Sequence, residues 1–189
     1  RSSYLFCPTS TAVNNLAQEG LTKGVYHVGD VMYDATLYFA QQAEQQSHIL
    51  GDMAIISKAY YLATIHRAET TDKSEELANI LRAFVQIDIP IILPLHPRTR
   101  KAIDSSEMLT SLVQQASKLH IIESVSYMDM LVLEKHAIAI LTDSGGVQKE
   151  AYFHRTPCIT MRGETEWTET VEAGWNTLVG TDSEKILHA

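Results

Sequence analysis

Short, nearly continuous apolar runs alternate along the chain with longer segments whose apolar residues recur at helical spacing. Tyr4-Leu5-Phe6-Cys7 is an apolar run closed by Pro8, and Thr9 to Thr11 then offer caps for an amphipathic helix that ends at Gly20. Val25 to Val28 reads as a further short strand before Gly29-Asp30, and Val31 to Gln46 as a helix with a Gln-rich, solvated face. After Gly51 the alternation becomes regular. It predicts a strand over Tyr60 to Ile65, a helix over Ser74 to Val85, and an apolar run from Ile89 to Leu95 interrupted by two prolines. A helical pattern from Arg98 to Ser117 follows, then a strand at His120 to Ile122, a helix at Tyr127 to Lys135 and a strand at Ala137 to Leu141. Strands that are apolar on both faces and alternate with helices belong to a parallel sheet covered on both sides, because right-handed crossovers place helices on either face. The expected architecture is therefore α/β, a Rossmann-like doubly wound parallel sheet forming one domain over residues 1–189.

In such a sheet ligands bind beyond the carboxyl ends of the strands. The residues there are polar: Thr64-Ile65-His66-Arg67, Leu95-His96-Pro97-Arg98, Leu141-Thr142-Asp143-Ser144-Gly145-Gly146 and Thr160-Met161-Arg162-Gly163-Glu164. Charge narrows what they can meet. With 15 Lys and Arg against 23 Asp and Glu, a net of -8, the chain lacks the basic face of a nucleic-acid or membrane-surface binder, so any anionic ligand must be held locally. Cys7 and Cys158 lie in apolar runs and read as small buried thiols rather than a disulfide or a nucleophile, which points to the cytoplasm. No apolar stretch approaches a membrane span, and the opening Arg-Ser-Ser-Tyr reads as an internal cut in a longer chain.

Ser144-Gly145-Gly146 ends a strand and starts a helix over Val147 to Phe153. Its backbone N–H groups and the Ser144 hydroxyl would converge at the positive end of the helix dipole, a geometry that suits phosphate oxygens. Glycine lets the backbone approach the anion closely. The same tripeptide also serves as an ordinary capped connection, and taken alone that reading is the stronger one. Glu150, six residues after Ser144, is a candidate acceptor for ribose hydroxyls or a solvated helix carboxylate, and Lys149 beside it reads as a surface residue. His66 and His96 follow neighbouring strands. A metal site there lacks a third ligand at suitable spacing, so the pair reads as hydrogen-bonded structural histidines or as groups that neutralise a departing diphosphate. Arg162 either joins that neutralisation or pairs with Glu164 or Glu166. Glu164, Glu166, Glu169 and Glu172 read mostly as helix-start carboxylates on a solvated face. Walker, nucleophile-elbow and Cys-x-x-Cys motifs are absent from the sequence.

Taken together and in order, these motifs resemble one family, the non-hydrolysing UDP-N-acetylglucosamine 2-epimerases, whose fold is similar to the two-domain GT-B glycosyltransferases. The carriers are Phe6-Cys7-Pro8-Thr9, Val28-Gly29-Asp30-Val31-Met32, Thr64-Ile65-His66-Arg67-Ala68-Glu69, Pro94-Leu95-His96-Pro97, Leu141 through Ala151, Arg162-Gly163-Glu164-Thr165-Glu166 and Val171-Glu172-Ala173-Gly174. The resemblance implies that the chain is the UDP-binding, carboxy-terminal portion of an isomerase. Such an enzyme removes the C2 proton, eliminates UDP from C1 to give a glycal, and adds UDP back after reprotonation on the opposite face, with no redox cofactor and no metal. By resemblance, Ser144, Gly145 and Gly146 hold the diphosphate, Glu150 the ribose, His66 and Arg162 lie by the phosphates and sugar as catalytic groups, and His96 belongs to the cleft. The implied partners are UDP, a UDP-N-acetylhexosamine, an amino-terminal domain that carries the acid/base carboxylates, and a second copy in a homodimer. The implied setting is cytoplasmic supply of a nucleotide sugar for cell-surface polysaccharide. Gly163 and Lys149-Glu150 depart from the family's commonest pattern, and Val28-Gly29-Asp30-Val31-Met32, Glu166-Trp167 and Gly174-Trp175-Asn176 look closer to the branch acting on UDP-2,3-diacetamido-2,3-dideoxyglucuronate. A GT-B glycosyltransferase domain and a non-catalytic nucleotide sensor are the further readings. The chain alone is expected not to epimerise, because half a cleft lacks a base placed against C2.

Overall fold

The computed structural model describes residues 2–189. Two parallel sheets are present. The first pairs β1 (Leu5–Cys7) with β2 (Val25–His27) across the helix α1 (Ser10–Gln18), which Thr9 caps by accepting from the Ala12 amide. Gly24 must be glycine: its φ is +76° and a Cβ would stand 2.4 Å from the Ser3 carbonyl oxygen. The strands expected at Tyr4 to Cys7 and Val25 to Val28 thus form, but as a sheet of their own. Their outward aromatics Tyr4, Phe6 and Tyr26 stay exposed.

The second sheet has six parallel strands in the order β5 (Leu119–Ile122), β4 (Ile91–Pro94), β3 (Tyr61–Thr64), β6 (Ile140–Thr142), β7 (Cys158–Thr160) and β8 (Asn176–Leu178). Chain order runs outward from β3 to one edge and then outward from β6 to the other, so the Rossmann-like, doubly wound expectation holds and its switch point lies between β3 and β6. Alternation along β4 shows why both faces are covered. Ile91 and Leu93 join one core with Leu77, Leu81 and Phe84, whereas Ile92 joins a second with Leu62, Leu133 and Ile140.

The first core is roofed by α5 (Ser74–Gln86), α6 (Pro97–Asp104), α7 (Glu107–Gln115) and α11 (Ser183–His188). On α5 the buried residues Leu77, Ala78, Ile80, Leu81, Ala83 and Phe84 form one helical stripe. The second core is covered by α2 (Val31–Gln46), α3 (Ile49–Asp52), α8 (Tyr127–His136) and α9 (Gly145–His154). Two short helices, α4 (Ala68–Thr71) and α10 (Thr168–Glu172), lie beyond strand ends. The single helix expected over Arg98 to Ser117 is two helices. Ser106 accepts from the Leu109 amide and caps α7, and a serine capping a new start interrupts the periodicity that looked continuous. Cys7 and Cys158 are free and buried, and burial pushes the Cys158 thiol up to about 12. No described helix is long and apolar enough to cross a membrane.

Candidate functional site

The two central strands end side by side, each in a threonine, and the hydroxyls of Thr64 and Thr142 bond each other across the ladder. Beyond them the chain diverges, and Asp143 ties the ends together. Its carboxylate, fully buried, accepts from the His66 amide at 3.0 and 3.1 Å and from the Arg67 amide at 2.9 Å. Ser144 then caps α9, its hydroxyl accepting from the Val147 amide while its own amide donates to Thr142 Oγ1. Gly145 and Gly146 are therefore the first two helical residues, whose amides an α-helix leaves without an intrahelical partner. The expected capped strand-to-helix turn, with two open amides, is present, and it stands at the switch point.

A cleft of about 360 Å³ opens over this turn, lined by Met32, His66, Arg67, Ser144, Gly145, Gly146, Lys149, Glu166 and Trp167. Side chains from the loop after β7 fold over Gly145: a Cβ there would meet Trp167 Nε1 at 3.2 Å and Glu166 Oε2 at 3.4 Å. That loop is anchored from behind. Thr165 donates to Gln148 Oε1, Asn176 donates to the same oxygen and to Thr170, and Thr160 donates to Asn176 Oδ1, joining α9, β7, β8 and α10.

Of the residues anticipated from sequence, His66, Ser144, Gly145 and Gly146 share this cleft. His96 caps α6 through Nδ1, and its ring lies 5.4 Å from that of His66. Arg162, 9% exposed at its side chain, holds Glu166 in a bidentate pair with both bonds at 2.9 Å, so the predicted salt bridge forms with Glu166 rather than Glu164. Hydrogen bonding to Arg162, ahead of the Coulombic pull of Arg162 and Arg67, draws the Glu166 carboxyl down to about 2. Glu150 is not among the residues lining this cleft over the turn. It is buried on another face of α9, against Tyr127 and Glu134, which excludes the solvated-carboxylate alternative.

Lys149 corrects the expectation of a surface residue. It is 8% exposed, its ammonium lies 2.8 Å from Asp30 Oδ2, and it stands 4.2 Å over the Trp167 ring. The signal was available in the spacing. Lys149 follows Gly145 and Gly146 by four and three residues, which puts it on the helix face that carries the turn. Glu166 and Arg67 were also underweighted. Arg67 reaches its near neighbour Glu69 at 3.5 Å and Glu166 at 3.4 Å, the latter a contact across 99 residues that no local pattern joins.

The arrangement suits an anionic ligand: helix-start amides, His66, Arg67 and Lys149 line an open cleft, and the Glu166 carboxylate, which stands beside Gly145, is neutralised by Arg162 and Arg67. Among the described residues no group of three His, Cys, Asp or Glu is placed to hold a metal ion.

Comparison with known proteins agrees with this reading of the fold. A UDP-N-acetylglucosamine 2-epimerase from Methanocaldococcus jannaschii, solved in complex with UDP-GlcNAc and UDP, superposes with a TM-score of 0.91 at 43% identity. The match covers 99% of this chain and 53% of that one. A UDP-N-acetylglucosamine 2-epimerase homolog from Methanococcus maripaludis is 49% identical over 98% of this chain and 52% of its own length. The UDP-2,3-diacetamido-2,3-dideoxy-D-glucuronate 2-epimerase of Pseudomonas aeruginosa is 41% identical over all of this chain and 51% of its own. The chain spans about half the length of the curated relatives it matches. The six-stranded sheet, the glycine turn after β6 and the loop folded over it all lie within the match to the family's sequence model, which runs from residue 1 to residue 189, and the chain belongs to the UDP-N-acetylglucosamine 2-epimerase family.

Proposed function

We propose that this chain is the UDP-binding half of a UDP-N-acetylglucosamine 2-epimerase that interconverts the C2 epimers of a UDP-N-acetylhexosamine. The observation that carries the reading is the turn at the switch point, where Asp143 locks two strand ends and leaves the Gly145 and Gly146 amides facing an open, cation-flanked cleft. In this reading the amides and the Ser144 hydroxyl hold the diphosphate, and Glu150 takes the ribose hydroxyls. His66 and Arg162 stabilise the charge that grows as UDP leaves, and His96 supports the His66 ring from the next strand. Arg162 spends two of its five N–H donors on Glu166, so the remaining ones are free to reach a phosphate while Glu166 fixes the guanidinium plane.

Loss of the C2 proton with departure of UDP, then its reversal on the opposite face, leaves the sugar at one oxidation level, so no redox partner enters. The base and acid for C2 belong to an amino-terminal domain. Two such chains in a homodimer, working in the cytoplasm to supply surface polysaccharide, complete the reading. A second substrate is the UDP-2,3-diacetamido-2,3-dideoxyglucuronate of the Pseudomonas aeruginosa relative, whose 41% identity stands below the 49% of the Methanococcus maripaludis homolog. Nuclear magnetic resonance of C2 configuration after incubation of the intact enzyme with each UDP-sugar separates the two.

Binding is tested by calorimetric titration with UDP. Ser144→Ala and Glu150→Ala are each expected to weaken UDP by roughly tenfold, the effect of one hydrogen bond to a charged group. Unchanged affinity in both would sink the assignment.

A further inference from the structure

Trp167 stands over the glycine turn, and its indole nitrogen is the atom nearest to the place a Cβ on Gly145 would take, at 3.2 Å. Glu166 Oε2 lies 3.4 Å and Arg67 Nη2 3.8 Å from the same point. The missing side chain of Gly145 therefore opens a small space bordered by two N–H donors and one carboxylate, and Arg162 and Arg67 neutralise that carboxylate. The space adjoins the two amides that start α9.

Trp167 is held in this place from three directions. Its amide donates to Thr165 Oγ1 at 3.0 Å, and Thr165 in turn donates to the fully buried Gln148. Its carbonyl accepts from the Thr170 amide at 3.0 Å and from the Thr170 hydroxyl at 2.7 Å, and Thr170 Oγ1 accepts from Nδ2 of the buried Asn176 at 3.0 Å. The Lys149 ammonium, tied to Asp30, lies 4.2 Å from the ring centroid and covers one face of the indole. A side chain anchored at its amide, its carbonyl and one ring face has little freedom left to lose when a ligand arrives.

The packing leaves the polar edge of the ring unused. Tryptophan has one side-chain donor, the indole N–H, and a buried indole ordinarily finds it a partner. The hydrogen bonds of Trp167 all run through its backbone, and among the described residues Nε1–H has no partner. Glu166 beside it is bonded to Arg162 instead. We propose that the Trp167 indole N–H is a further donor to the anion at the Gly145 and Gly146 turn, meeting a phosphate oxygen of a nucleoside diphosphate. The inference rests on the reading of that turn as the diphosphate site. A donor fixed in advance beside the two open amides needs no reorganisation to meet the charge, which is what makes a neutral N–H effective there.

The test is titration of the intact protein with UDP and, beside it, uridine, for wild type, Trp167→Phe, Trp167→Leu and Ser144→Ala. Calorimetry gives the affinities, and proton–nitrogen correlation spectra follow the indole N–H resonances. The chain has two tryptophans, so Trp175→Phe or Trp167→Phe assigns the Trp167 signal. UDP is expected to move that resonance downfield, as a bond to a charged oxygen does, and uridine, which has no phosphate, to leave it in place. Trp167→Phe keeps an aromatic face for Lys149 and loses the donor, so it weakens UDP by about tenfold and leaves uridine unaffected. Trp167→Leu, lacking both, weakens UDP at least as much. The proposal is overturned if the resonance stays in place at saturating UDP, or if Trp167→Phe binds UDP as wild type does, while Ser144→Ala still weakens it. A loss confined to Trp167→Leu overturns it too, because the ring and not the N–H would then be the contact. If Ser144→Ala and Glu150→Ala both bind UDP normally, the diphosphate reading of the turn fails and takes this one with it. Should Trp167→Phe not fold, the wild-type resonance decides: a downfield shift with UDP and none with uridine supports the donor, and an unmoved signal overturns it.

Discussion

Replacing Asp143 by alanine is expected to lower stability by about 3 kcal/mol and to abolish measurable UDP binding. The carboxylate is fully buried and holds the amides of His66 and Arg67, residues on a different strand end 77 and 76 positions away. Bonds to a charged acceptor contribute about 1.5–3 kcal/mol each, and their loss leaves two half-buried N–H groups for water to satisfy only in part. The functional loss follows from the same bonds. Without them the loop after β3 is no longer pinned to the turn after β6, so His66, Arg67 and the Gly145 and Gly146 amides cease to face one cleft. Urea denaturation and UDP calorimetry check the two halves. A variant within 1 kcal/mol of wild type, or one that binds UDP normally, would contradict this account. Asp143→Asn retains one acceptor oxygen and is expected to fall between the two, which separates the acceptor geometry from the charge.

Loss of the Asp30 carboxylate has the second large effect expected, about 3 kcal/mol for Asp30→Ala. Two interactions disappear together. Asp30 caps α2 by accepting from the Met32 amide at 2.9 Å, and removing such a cap costs about 1 kcal/mol. It is also the counter-ion of Lys149, with side chains only 16% and 10% exposed, and an ammonium left unpaired there costs about 2 kcal/mol, less than in a dry core because some solvent reaches it. The cycle is diagnostic. Asp30→Asn keeps an oxygen for the cap and should lose only the ion-pair part, while Asp30→Asn with Lys149→Met should recover most of it. Additive losses in that double variant would show that the two side chains are not energetically coupled. Thermal unfolding at low and moderate salt gives the readout, with little salt dependence expected for so enclosed a pair.

Both predictions concern contacts between residues far apart in sequence, and that distinction separates what was legible in advance from what was not. The parallel sheet was legible because apolar runs such as Ile89 to Leu95 must be buried on both faces, and β4 indeed feeds Ile91 and Ile92 into opposite cores. Its ends were less legible. Ser106 splits a helix whose periodicity looked continuous, since a cap is a choice between competing hydrogen bonds that apolar spacing does not register. The short strands near the start formed as expected, yet only the structure shows them as a separate sheet, because partner choice depends on which edges meet and not on strand propensity.

The turn itself was the clearest local signal: a strand end followed by Ser144-Gly145-Gly146 dictates a capped helix start with two open amides, and that much needs only backbone geometry. Its surroundings needed the tertiary fold. Whether Lys149 meets water or Asp30, whether Glu166 idles on a helix or clamps Arg162 and Arg67, and whether Glu150 is solvated or sealed against Glu134 depends on what packs beside each. A charged side chain carries several polar partners within reach of its sequence neighbourhood and many more beyond it, and burial selects among them by making every unpaired alternative costly. Sequence by itself determined the alternation of strands and helices that makes the sheet parallel, the family resemblance and the capped helix start with two open amides. The tertiary structure decided which charges face that turn, because only packing sets the dielectric and the distances on which their pairing depends.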